Sequence, residues 1–123
     1  MYTLDTNAII YYLKDDLDAM IALHPIFSDS DLIYLSAISE LELFSFSHIT
    51  AKEAKQIENI LSTLKIISVD SEVARLAGSL RREFRLKTAD SAVAATALKT
   101  NSTLITRNIS DFQKVKKLKL LEL

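Results

Sequence analysis

Four acidic residues lie where predicted strands end or predicted helices begin, and together they could bind a metal ion: Asp5, Glu42, Asp90 and Asp111. Carboxylates about 4 Å apart repel one another by roughly 4 kcal/mol per pair at an effective dielectric constant of about 20, so such a cluster needs a cation. Oxygen ligands without thiolate or paired histidine favour Mg²⁺ or Mn²⁺, which bridge to substrate phosphates. If the fold brings these acids together, they predict a divalent metal site.

A simpler explanation is open for two of these acids. Carboxylates at helix starts cap backbone amides and complement the helix dipole, and this would account for Asp90 or Asp111 taken alone. It fits Asp5 less well, because Asp5 lies between an apolar segment and the N-cap candidate Thr6, where an unpaired buried charge is costly. The fold therefore decides between separate caps and one shared site.

Short apolar runs predict four buried strands, and a weaker alternating run predicts a fifth. The runs cover residues 1–4, 32–35, 65–69, 103–106 and 117–123. Because helical patterns separate them, we expect an α/β fold of three layers, α/β/α, around a central and mainly parallel sheet of four to five strands. In open parallel sheets the ligand site lies beyond the carboxyl ends of the strands, which is where the acids fall.

Five helices are predicted between these runs. The first covers residues 6 to about 24 and is closed by Pro25, and the second covers residues 36 to about 47. The third begins with a capping box at Thr50 and Glu53, and the fourth begins at Asp70 as N-cap. The fifth, residues 88–99, is rich in alanine, so we expect it to be largely buried.

The composition excludes several kinds of chemistry. The chain has no cysteine, which excludes zinc–thiolate sites and thiol nucleophiles, and its single glycine excludes glycine-rich phosphate loops. With 15 basic and 16 acidic residues the net charge is -1, so any surface for nucleic acid must be local. We expect one domain over residues 1–123. Without a secretory signal or an apolar run of membrane-spanning length, we expect a soluble, cytoplasmic protein.

Four segments resemble the motifs of PIN domain ribonucleases, in the same order and at similar spacing. They are residues 4–7 (LDTN), 36–43 (SAISELEL), 90–97 (DSAVAATA) and 106–112 (TRNISDF). The similarity covers essentially the whole chain, and because there is no room for an added domain the chain looks like the VapC-type toxins of toxin–antitoxin systems. It implies a PIN-like fold and a Mg²⁺-dependent endoribonuclease, with Mn²⁺ as a second possible ion.

The resemblance also implies a role for each acid. Asp5 and Asp90 match the principal metal ligands, and Glu42 and Asp111 match the remaining catalytic and metal-binding acids. The ion would activate a water molecule and offset charge on the phosphate of the RNA, whether one ion binds or two. No histidine base is required, so we expect His24 and His48 to be ordinary surface or boundary residues.

The second acid of the site is ambiguous on periodicity alone. Glu40 and Glu42 are two positions apart, so on a helix they point to nearly opposite sides and only one can face the crevice. We choose Glu42, because it precedes Leu43 at the spacing of the family.

Several polar residues near the acids are candidates for binding RNA: Thr6, Asn7, Arg107, Asn108, Arg81, Arg82 and Arg85. Arginine pairs well with phosphate, and a basic stretch shortly before Asp90 would attract the RNA backbone. Each has an equally simple structural explanation. Thr6 could cap a helix, Arg107 could be a solvated loop residue, and cations at the end of a helix are favoured by its dipole.

Partners are implied mainly by the resemblance. It implies a VapB-like antitoxin whose tail lies across the nuclease crevice, and a homodimer. Apolar residues around Tyr11, Tyr12, Phe44 and Phe46 exceed what one small core easily hides, although most could still be core residues.

Other functions stay open at this point. A PIN-like nuclease could act in RNA processing outside a toxin system, or a PIN-like module could bind RNA without cutting it. An aspartyl phosphatase of the haloacid dehalogenase kind would have a second Asp where Asn7 stands. A receiver-like signalling module would pair acids after its first strand.

Overall fold

The computed structural model describes residues 1–29 and 32–123. Its strands are β1 (Tyr2–Leu4), β2 (Ile33–Ser36), β3 (Lys65–Ile67), β4 (Thr103–Thr106) and β5 (Lys119–Glu122). All neighbouring pairs are parallel, and the order across the sheet is β3-β2-β1-β4-β5. The predicted α/β fold with a mainly parallel sheet is confirmed, and all five predicted strands are present.

Helices connect these strands and cover the sheet. They are α1 (Thr6–Leu13), α2 (Leu17–Ser28), α3 (Ala37–Leu43), α4 (Ala51–Leu61), α5 (Ser71–Phe84), α6 (Thr88–Thr100) and α7 (Ile109–Phe112). The capping predictions for α4 and α5 are confirmed, because the Thr50 side chain accepts a hydrogen bond from the Glu53 amide and the Asp70 side chain accepts one from the Val73 amide. Thr6 as the N-cap of the first helix is wrong, because Asp5 holds that position and Thr6 is the first residue of α1. In the parts of the chain that the structure describes, no helix has the length and apolar character needed to cross a bilayer.

The prediction of one long first helix is wrong. The chain forms two helices there, because Asp15 takes a left-handed conformation with φ of 59° and breaks the first. Asp16 then starts α2, and its side chain accepts a hydrogen bond from the Ala19 amide at 3.0 Å. Pro25 lies inside α2 rather than at its end. The apolar stripe continues across the break, so periodicity could not locate it.

The end predicted for the second helix is wrong as well, and one helix was not predicted at all. Helix α3 ends at Leu43, four residues before the expected boundary, and exposed residues follow it. The unpredicted helix is α7, which has only four residues and therefore offers no periodicity to detect.

Two hydrophobic clusters lie on opposite faces of the sheet. Successive residues of a strand point to opposite faces, so Leu104 packs with the residues of α5 and α6 while Ile105 packs in the cluster of α1 to α4. Helix α6 is buried along seven consecutive residues from Ser91 to Ala97, as its alanine content predicts. Phe112 is fully buried in the cluster of α5 and α6.

Candidate metal centre

The acids lie at the carboxyl edge of the sheet, at its topological switch point. β1 lies between β2 on one side and β4 on the other. The segments that follow neighbouring strands turn in opposite directions at such a point, which leaves a crevice at the carboxyl ends of the strands. The Asp5 amide donates a hydrogen bond to the Ile105 carbonyl at 3.1 Å, which fixes Asp5 directly beside the end of β4. The first acid is therefore held in place by the sheet itself.

Asp5 is a buried carboxylate surrounded by like charges. Only 5% of the residue is exposed, and Thr106 donates a hydrogen bond from Oγ1 to Asp5 Oδ2 at 2.8 Å. Asp5 is the N-cap residue of α1 but makes no side-chain capping bond. Burial, together with the charges of Asp90 and Glu42, raises its pKa to about 6 despite the Thr106 bond. A cation in the crevice would offset this cost.

Glu42 is brought to the crevice by Thr6. The Thr6 hydroxyl donates to Glu42 Oε1 at 2.7 Å and is also hydrogen-bonded to Ser39 Oγ at 2.8 Å. The negative charge of Glu42 is among the main causes that raise the pKa values of Asp5 and Asp90, and that of Glu40 is not. Of the two glutamates, Glu42 is therefore the one that faces the other acids.

Asp90 and Asp111 complete the group from two further helices. Asp90 lies in the first turn of α6 without capping it, and burial, with the charges of Asp111 and Glu42, raises its pKa. Asp111 lies in α7, where Asn108 Nδ2 donates to its Oδ2 at 3.0 Å. That bond, helped by the ammonium groups of Lys114 and Lys87, lowers the pKa of Asp111.

All four acids therefore interact electrostatically across one crevice, and the carboxylates of Asp5, Glu42 and Asp111 are each held by a separate hydrogen-bond donor. Within residues 1–29 and 32–123, no three acidic or histidine side chains are gathered closely enough to hold an ion as they stand. Like charges repel one another at short range, so a cation would have to offset this repulsion before the acids could approach more closely. The donor set consists entirely of carboxylate oxygens, which fits a hard divalent cation such as Mg²⁺.

Thr106 is a site residue that sequence reasoning did not single out. Besides holding Asp5, its hydroxyl accepts a hydrogen bond from the Asn108 amide at 2.9 Å, and Asn108 in turn holds Asp111. A chain of hydrogen bonds thus connects the first acid to the fourth. The available signal was that Thr106 is the last residue of β4, at the same edge as Asp5.

The predicted RNA-binding residues near the acids have different environments. Thr6 and Asn108 each hold an acid, while Asn7 is exposed in the first turn of α1. Arg107 is paired with Asp16, its two terminal nitrogens lying 2.9 and 3.3 Å from the Asp16 oxygens, and it stacks 4.0 Å from the ring centre of Tyr11. The hydrogen bond to Asp16 raises the Arg107 pKa, so this arginine ties the α1–α2 junction to the end of β4.

The predicted basic stretch is exposed at the end of α5. Arg81 and Arg82 are in the last turn of α5, and Arg85 ends that helix in a left-handed conformation with φ of 56°. None of the three is among the main causes of the pKa shifts of Asp5, Asp90 and Asp111, whereas Lys87, just beyond them, lowers the pKa of Asp111 and acts in the same direction on Asp90. The two histidines are exposed, as predicted.

Fold and site together define an α/β protein with an acidic, oxygen-donor crevice at the switch point of a five-stranded parallel sheet. A sequence model described as the PIN domain matches residues 2–118. The chain belongs to the PIN domain family. Membership of this family decides against the two other folds considered, the aspartyl phosphatase and the receiver-like signalling module.

The known proteins that this chain resembles include a VapC ribonuclease and proteins crystallised as toxin–antitoxin complexes. Ribonuclease VapC2 of Rickettsia felis is 30% identical, with 94% of this chain and 92% of that protein covered. The crystal structure of VapBC2 from Rickettsia felis bound to a promoter DNA fragment matches at a TM-score of 0.84 and 26% identity, covering 99% of this chain and 98% of the other. A toxin–antitoxin complex from Klebsiella pneumoniae matches at 0.79 and 27%, covering 98% and 96%.

Proposed function

We propose that this protein is an endoribonuclease that acts as the toxin of a VapBC-type toxin–antitoxin system. The observation that carries the proposal is a PIN domain whose four acids face one crevice, in a chain similar over nearly its full length to a VapC ribonuclease. The toxin role rests on the similarity to proteins crystallised as toxin–antitoxin complexes.

The four acids are proposed to hold Mg²⁺, with Asp5 and Asp90 as the principal ligands and Glu42 and Asp111 beside them. When bound, the ion supplies Lewis acidity toward the phosphate and toward an attacking water. The buried Asp5 carboxylate gains most from this partner, because burial destabilises its charged form. Mn²⁺ has the same preference for oxygen donors and should substitute for Mg²⁺.

The hydrogen-bonded neighbours are proposed to position these acids. Thr106 holds Asp5, Thr6 holds Glu42, and Asn108 holds Asp111. Because each neighbour donates from a short side chain, it restricts the rotamers of the acid and reduces the ordering needed when an ion and RNA bind.

Incubation of the purified protein with total RNA tests the proposal. We expect discrete fragments in Mg²⁺ and none in EDTA or with Asp5→Asn. Asp70→Asn is the matched control, because Asp70 caps α5 outside the crevice, and it should cleave like the wild type. Binding of RNA without any cleavage in Mg²⁺ or Mn²⁺ would instead favour a non-catalytic RNA-binding module. Cleavage confined to one precursor, without growth arrest on expression, would favour RNA processing outside a toxin system.

The antitoxin and a second copy of the chain are the proposed protein partners. Phe44 and Phe46 are 42% and 49% exposed, and Phe46 borders an apolar cavity of about 340 Å³ between α1, α3 and α4. Exposed aromatics at this density are typical of interfaces. Co-expression with a VapB-like antitoxin should suppress RNA cleavage and yield a stable complex. Light scattering should show a dimer, and a monomer throughout the micromolar range would contradict that part.

A further inference from the structure

Two lysines lie beside the acidic crevice on separate elements of the fold. Lys114 follows α7, and its Nζ lies 3.7 Å from Asp111 Oδ1 with 46% of the side chain exposed. Lys87 is the N-cap residue of α6, three positions before Asp90, and it is exposed. The Lys87 carbonyl accepts the Ser91 amide at 2.9 Å, which fixes its backbone at the start of the helix.

Each lysine lies within one helical turn of an acid: Lys87 three positions before Asp90 at the start of α6, and Lys114 in an ion pair with Asp111. In keeping with this placement, both lysines are among the causes that lower the pKa of Asp111, and Lys87 is among those that act on Asp90. Two other cations of the described residues already have carboxylate partners. Arg107 is engaged by Asp16, and Lys99 by Asp70 and Glu72.

A crevice built from carboxylates needs positive charge at its edge if it is to receive a polyanion. Four acids repel RNA until a divalent ion offsets them, and the net charge of -1 for the whole chain gives no general attraction. Lysine suits this role because a flexible stem carries a compact charge that can move from a carboxylate to a phosphate. When an ion takes Asp90 and Asp111, both lysines lose their present counter-charges and remain exposed.

We propose that Lys87 and Lys114 bind phosphates of the RNA backbone on the Asp90–Asp111 side of the crevice. The inference rests on the proposed function and deepens it by identifying the side along which the RNA lies. RNA fits better than an acidic protein partner, because the lysines flank the position of the proposed ion, where a phosphate must arrive for hydrolysis.

The test measures binding of a labelled, mixed-sequence single-stranded RNA by fluorescence anisotropy. All proteins are otherwise wild type, Ca²⁺ replaces Mg²⁺ so that a divalent ion with the same preference for oxygen ligands can fill the crevice, and a gel run after each titration checks that the RNA is intact. The test variant is Lys87→Met with Lys114→Met. The matched control is Lys65→Met with Lys119→Met, which removes the same charge from exposed residues at the amino ends of β3 and β5, opposite the acids.

We expect the test variant to bind RNA about five- to tenfold more weakly than the parent, because it loses two exposed ion pairs with phosphates. The plot of log affinity against log salt should become shallower by about 1.4, because each phosphate contact to a single strand contributes about 0.7. The control should keep the parental slope. Lys87→Arg with Lys114→Arg should restore binding, which separates loss of charge from misfolding.

An equal loss in test and control variants, or no loss in either, would overturn the inference. So would unchanged RNA binding combined with weaker binding of an antitoxin, because the lysines would then serve a protein partner. The outcome is independent of the nuclease proposal, since anisotropy needs no cleavage. Failure of the wild-type protein to cut RNA would refute that proposal while the lysine-dependent binding could still be measured.

Discussion

Replacing Asp5 by Asn should stabilise the metal-free protein while removing its activity. Folding raises the pKa of Asp5 from 3.8 to about 6, so the folded chain binds this proton more tightly than the unfolded chain does. Stability is therefore lost as the pH rises from about 4 through about 6, and the loss is complete at neutral pH. An Asn of the same shape avoids this loss and can still accept the Thr106 hydrogen bond.

The size of the effect follows from the two pKa values. Each pH unit between them corresponds to about 1.4 kcal/mol, so ionised Asp5 costs the folded state about 3 kcal/mol near neutral pH. At about pH 5 roughly half of this cost remains. For a chain of 123 residues, 3 kcal/mol corresponds to an increase in Tm of about 10 °C.

Urea and thermal unfolding followed by circular dichroism, in EDTA at about pH 7.5 and pH 5, would measure this gain. Asp70→Asn is the matched control, and its expected effect on stability has the opposite sign. Hydrogen bonding to the Val73 amide lowers the pKa of Asp70, so its charge stabilises the fold and the substitution should not raise the Tm. Saturating Mg²⁺, near 100 times its Kd, should stabilise the wild type by about 2.7 kcal/mol and Asp5→Asn by less. The reasoning is refuted if Asp5→Asn is no more stable than the wild type in EDTA near pH 7.5.

Three further experiments test the acids and their neighbours. Thr106→Val should lower the free energy of unfolding by about 1–3 kcal/mol, measured in urea, because it removes a hydrogen bond to a buried carboxylate; unchanged stability would contradict its role. Arg107→Met and Asp16→Asn should show a coupling of up to about 1 kcal/mol in a double-mutant cycle, and a coupling of zero would mean that the ion pair is inert. Glu42→Gln should abolish RNA cleavage and Glu40→Gln should preserve it, whereas the reverse would reassign the second acid.

The parts of the fold that follow from local chemistry could be predicted from the sequence. Thr50 with Glu53, and Asp70 before an amphipathic stripe, are capping patterns that act over three residues, so the starts of α4 and α5 were found. The break at Asp15 could not be found, because a left-handed residue other than glycine has no reliable signature and the apolar spacing continues past it.

Around the site, local signals could likewise be predicted, whereas contacts between residues distant in sequence could not. Asp5 and Asp90 stand out because their position after a strand or at a helix start is visible locally. The engagement of Arg107 by Asp16 joins residues 91 positions apart, so no local pattern indicates that this arginine already has a partner. Lys87 belongs to the basic stretch before Asp90 that the sequence shows, whereas the pairing of Lys114 with Asp111 follows the short helix α7, which the sequence did not predict.

The proposed metal site requires carboxylates far apart in sequence to share a divalent ion. Crystals grown with Mn²⁺ and measured at its absorption edge would test it most directly, since anomalous scattering locates the ion without reference to activity. We predict a peak in the crevice about 2 Å from oxygens of both Asp5 and Asp90, absent from Asp5→Asn crystals. A fully occupied peak elsewhere on the chain, or an empty crevice at saturating Mn²⁺, would contradict the account.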